Sequence, residues 1–74
     1  MEQVLDLLMK FYDAKTYKEK EEILNEMRGQ LTDVLIDNMA VTLDVVIPEG
    51  NIDDRYEALV KCLKTYQKYE LRRE

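Results

Sequence analysis

Apolar residues fall at helical spacing in three stretches of this chain. In the first, Val4, Leu7, Leu8, Phe11 and Tyr12 share an arc at about 100° per residue, with Glu2, Asp6, Lys10 and Asp13 opposite. This predicts a helix over about 2–14, with its early acids and later lysine suited to the helix dipole. In the last, Ile52, Tyr56, Leu59, Val60, Leu63 and Tyr66 form a stripe that predicts a helix over about 52–72. Pro48 and Gly50 set its upstream boundary, and Asn51 with Asp54 supplies an N-cap and an acid three residues on.

The middle stretch organises the rest. Thr16 and Glu19 have the form of a capping box, so a helix should begin at Tyr17. From there a seven-residue spacing runs through Leu24, Leu31, Asn38 and Val45, with Met27, Val34 and Val41 as the complementary set. The seam passes Gly29 on its outward side, and a glycine there costs about 1 kcal/mol without ending the helix. The pattern therefore predicts one long helix over about 17–46, kinked near Gly29. A competing reading makes Val41 to Ile47 a strand, because Val41, Leu43, Val45 and Ile47 alternate with Thr42, Asp44 and Val46. No second strand is evident to pair with it, so helix is preferred.

The expected fold class is all-α: a small three-helix bundle or helical hairpin in one domain over 1–74, with a long central helix. Seventy-four residues lie near the size where one core gives only a few kcal/mol of net stability. Cys62 is alone and cannot close a bridge within the chain, and without histidine a structural zinc site is implausible. Oligomerisation, or very well packed long helices, is what remains; for a homodimer, Leu31, Val34, Asn38, Val41 and Val45 are the candidate self-association residues. Asn38, one turn from Thr42, would set register if buried between paired helices, or simply lend its carbonyl to the threonine hydroxyl.

Charge changes the picture at one end. Residues 1–54 hold thirteen acidic and five basic side chains, and residues 55–74 hold three and six. An acidic chain, net −5, is a poor default partner for nucleic acid. The last helix nevertheless carries Lys61, Lys64, Lys68, Tyr69, Arg72 and Arg73 on or beside one face, a candidate contact for an acidic protein or a phosphate backbone. A solvated helix face explains the same residues more simply.

Candidate chemistry is sparse. There is neither Ser nor His, which removes hydroxyl–imidazole and thiol–imidazole nucleophiles. Glu19 and Glu22 form an E-x-x-E pair, but no matching pair stands elsewhere to complete a magnesium site. No catalytic residue, metal or cofactor is therefore expected. The lone thiol and the absence of an evident targeting segment point to a cytoplasmic setting, and no run reaches the length of a membrane span. Size and composition are those of a small bacterial accessory or regulatory protein. The expected function is a non-enzymatic protein-interaction or self-assembly module, partnered by itself or another protein and not by a membrane. The alternative is a small nucleic-acid-associated regulator using the last helix.

Overall fold

The computed structural model describes the backbone of residues 3–72 and the side chains of residues 3–70. Four α-helices follow one another: α1 (Val4–Asp13), α2 (Tyr17–Glu26), α3 (Asp33–Leu43) and α4 (Ile52–Arg72), with a 3₁₀ turn at Arg28–Gln30. No strand occurs among the described residues, so the all-α expectation holds. α2 packs against both α1 and α4, and α4 also packs against α3.

The long central helix does not form. α2 ends at Glu26, the 3₁₀ turn follows, and Leu31 and Thr32 are extended. Thr32 then restarts the chain as an N-cap, its hydroxyl oxygen accepting from the Leu35 N–H at 3.3 Å. An unbroken helix of thirty residues would reach roughly 45 Å, too long for 74 residues to wrap. Breaking it lets Leu35, Ile36, Met39, Ala40 and Leu43 join Leu24 and Met27 in one core. The seven-residue seam changes sides at this break. Leu24 and Met27 point inward, whereas Val34, Asn38 and Val41 point to solvent. Gly29 has open space around it and no positive φ, so the break does not depend on its lacking a side chain.

α3 also stops earlier than expected. Asp44 adopts the left-handed conformation (φ 58°, ψ 45°), and the Val45 N–H reaches the Ala40 carbonyl at 3.0 Å while the Asp44 N–H reaches Val41 at 3.1 Å. This is a Schellman closure with aspartate where glycine is usual. Residues 45–48 continue without regular structure, so the stretch from Val41 to Ile47 is neither a helix to 46 nor a strand.

The remaining boundaries follow the sequence. Thr16 caps α2 by accepting from the Glu19 N–H at 3.1 Å, and Asn51 caps α4 by accepting from the Asp54 N–H at 2.9 Å. Phe11, Leu24, Met27, Ile36, Met39, Leu59 and Leu63 are fully buried at the centre, contributed by every helix.

Side chains from neighbouring helices satisfy several helix ends. Lys20 donates to the Phe11 carbonyl at 2.6 Å, closing the end of α1, and its ammonium lies 5.0 Å from the Phe11 ring centre. Glu70 of α4 accepts from the Tyr17 N–H at 3.0 Å, at the start of α2. Tyr66 donates its hydroxyl to the Leu43 carbonyl at 3.3 Å, at the end of α3. These are backbone groups that a helix cannot satisfy by itself.

Candidate functional site

The outer face of α3 is the first surface the chain leaves open. Val34 and Val41 are 68% and 79% exposed, with exposed Asn38 between them at helical spacing. Leu31 and Val45, at either end, are half-buried against the core. Three of the five candidate self-association residues thus share one outward stripe, and two sit at its margins. Thr42 donates to the Asn38 carbonyl at 3.0 Å, which accounts for the threonine. The Asn38 side chain itself is not part of that bond.

Asp33 and Asp37 border this stripe. Both carboxylates accept from the guanidinium of Arg55, at 2.7 and 2.5 Å, and the Arg55 Nε donates to the Pro48 carbonyl at 3.1 Å. Hydrogen bonds to Asp37 and then Asp33 hold the Arg55 guanidinium even more firmly protonated than usual. Arg55 is buried while both aspartates remain largely exposed. An open cleft of about 690 Å³ lies here, lined by Asp33, Asp37, Val46, Pro48 and Arg55 among others. Arg55 spends three donors on tying the 44–51 connection to α3, so the cleft is built as a brace. Val46, 92% exposed, stands at the rim of this cleft.

The second surface is on α4. Lys61, Lys64 and Lys68 are exposed along one face, flanked by Tyr69. The side chain of Arg72, and Arg73 altogether, lie outside the described residues. Asp53, Asp54 and Glu57, also exposed, precede the lysines, so the helix passes from acidic to basic along its length. That order matches the helix dipole. Cys62 is half-buried at the edge of the apolar stripe, with a free thiol.

A third surface is one that sequence reading passed over. α1 buries Leu7, Leu8 and Phe11, yet Leu5 and Met9 are each 64% exposed and Tyr12 is 41% exposed. Leu5 and Met9 extend the apolar arc of this helix beyond what one neighbour can cover, and that width was the available signal. Arg55 was also missed. Its signal was a charge between Ile52 and Leu59 on the inward side of α4, which required a partner.

The titrating groups with displaced behaviour are structural. Burial pushes the Tyr66 hydroxyl above its ordinary value, with Cys62 nearby adding to it. Burial lowers the Lys20 ammonium, opposed by Asp13 and Glu70. Glu19 and Glu22 belong to no group of three or more metal-ligating side chains among the described residues. No described helix is long and apolar enough to cross a membrane.

No protein-family model, curated protein or solved structure matches the chain.

Proposed function

We propose that this chain is a non-enzymatic helical interaction module that self-associates through the outer face of α3. The supporting observation is the exposure of Val34 and Val41 on a helix whose remaining apolar residues are buried. Exposed single apolar residues are ordinary, but aligned ones bordered by polar groups mark contact surfaces. In an antiparallel two-fold pairing, Val34 of one copy lies against Val41 of the other, with Asn38 close to the axis facing its counterpart. Arg55 neutralises part of the Asp33 and Asp37 charge that would otherwise oppose this approach. Light scattering from micromolar to near-millimolar concentration tests the reading. Val34→Glu with Val41→Glu should lower the mass, and Asn38→Leu should broaden the distribution of species by releasing the register. A mass indifferent to the paired valine change defeats the proposal.

The second reading, a nucleic-acid-associated regulator, rests on the exposed row of Lys61, Lys64 and Lys68 with Tyr69 beside it. It requires binding to DNA or RNA that weakens with salt and is lost on charge reversal at Lys64 and Lys68. The acids at 53, 54 and 57 on the same helix shorten this row and place it second.

A further inference from the structure

We infer that α1 of one copy docks on the basic face of α4 of the next, a head-to-tail contact separate from the two-fold contact of α3. On α1, Leu5, Met9 and Tyr12 stay open to solvent while Leu7, Leu8 and Phe11 are buried. At about 100° per residue, exposed Asp13 and Asp6 follow directly on one flank of that stripe. Lys10 lies further round, beyond both acids, and is engaged within its own copy. The border of the stripe is therefore acidic, and the surface that complements it is basic beside apolar.

Such a surface stands on α4. Exposed Lys61 and Lys68 border Thr65 and the exposed ring of Tyr69. A shallow cleft of about 280 Å³ opens beside them, lined by Lys61, Cys62, Thr65 and Tyr66. Among the described residues no ion pair engages Lys61 or Lys68.

Spacing and hand both match. Asp6 and Asp13 are seven residues apart, as are Lys61 and Lys68, so each pair spans about two turns, or about 10.5 Å. Passing round α1 in the direction of the chain, the acids come after the apolar stripe. On α4 the lysines come before Thr65 and Tyr69. The leading flank of one helix meets the trailing flank of another when the two run parallel, as in a parallel coiled coil. Parallel docking sets Asp6 beside Lys61 and Asp13 beside Lys68, with Leu5, Met9 and Tyr12 over Thr65, Tyr69 and the cleft. An antiparallel pairing of either face with its own kind sets like charges together instead. Contact between unlike faces leaves one of each free, so copies add in a row. Exposed ion pairs are individually weak, so the row grows only towards millimolar concentration and micromolar melts do not register it.

The test uses the Val34→Glu/Val41→Glu background, which silences the α3 contact, so the two contacts can fail separately. Light scattering runs up to near-millimolar concentration, and circular dichroism verifies that each variant is folded. The background protein should gain mass past a dimer. Leu5→Glu/Met9→Glu or Lys61→Glu/Lys68→Glu, each added to it, should hold it at the 8.8 kDa monomer. Mixed in equal amounts, those two monomeric variants should form a one-to-one pair of twice that mass, because one keeps α4 and the other keeps α1. No mass gain in the background protein, or no pair on mixing, overturns the contact. Direction has its own readout: the weakening caused by Asp6→Lys should be reversed by Lys61→Glu and not by Lys68→Glu. Rescue by Lys68→Glu instead overturns the parallel arrangement. Loss of single-stranded oligonucleotide binding in Lys61→Glu/Lys68→Glu, with the mass unchanged, assigns the α4 face to nucleic acid and overturns the docking.

Discussion

Asp44 holds a backbone conformation that costs an L-residue roughly 1 kcal/mol, and it puts a negative charge at the end of a helix. Both penalties can be removed without touching the core. Asp44→Gly and Asp44→Asn should each stabilise the fold by about 0.5–1 kcal/mol, offset for glycine by the greater freedom of its unfolded chain. In a domain of this size that is a rise in Tm of about 2–6 °C, measured by thermal melts. A lower Tm for both would mean that Asp44 makes a compensating contact. Tyr66 carries a separate prediction. Its hydroxyl donates to the Leu43 carbonyl and its folded pKa lies above the ordinary 10.0, so the folded state keeps this proton longer than the unfolded state does. The resulting stability is whole below pH 10 and is lost as pH climbs through the folded value. Lys20 works in the opposite sense, because its folded pKa lies below 10.5 and its burial penalty is relieved as pH rises towards that value. Melts between pH 9 and 11 should therefore fall more steeply for wild type than for Tyr66→Phe, and equal slopes would remove Tyr66 from the account.

At the level of elements, Thr32 decides between two architectures. In a continuous helix through residue 32, Thr32→Ala would stabilise, because alanine is the better helix former. In the broken chain the same change removes the acceptor for the Leu35 N–H and should cost about 1 kcal/mol. The sign of the change in urea midpoint settles which state is populated. Much of this level was readable from sequence. Thr16 and Asn51 announce α2 and α4 through their side-chain oxygens, and the stripe from Ile52 to Tyr66 needs only helical period. The break at 27–32 was not readable in the same way. Leu31, Val34, Asn38, Val41 and Val45 continue the spacing of Leu24 and Met27, so the pattern was consistent with one helix, in which Gly29 marked a kink and not an end. Thr32 also lacks the acid three residues on that makes Thr16 conspicuous. What overrides periodicity there is global. A fold-back brings Ile36 and Met39 into one core with Leu59 and Leu63. The seam named from sequence is divided by the break: Val34, Asn38 and Val41 face outward on α3, whereas Leu31 and Val45 are half-buried against the core.

Whole-molecule dimensions bear on whether association is needed for folding at all. The Cα radius of gyration is 11.8 Å, against roughly 11 Å for a compact monomeric domain of this length. Buried residues from all four helices form one cluster within a single copy, and Glu70, Tyr66, Lys20 and Arg55 satisfy helix ends and loop carbonyls across elements. A chain whose core is finished this way should fold alone, with self-association added on top. An obligate dimer behaves differently, because its stability is inseparable from protomer concentration. The variant carrying Val34→Glu and Val41→Glu should therefore unfold at a Tm independent of concentration, close to that of wild type at its most dilute. Wild-type Tm should then rise with concentration by the amount that binding the native state adds, about 2.7 kcal/mol when protomers exceed the dissociation constant a hundredfold. If that variant is unfolded when dilute, the apolar stripe of α3 belongs to a core shared between copies. Glu70→Ala separates the contributions within one copy. It removes the acceptor for the Tyr17 N–H and should lower stability by about 1 kcal/mol in both backgrounds while leaving the mass unchanged, because that bond lies inside the monomer.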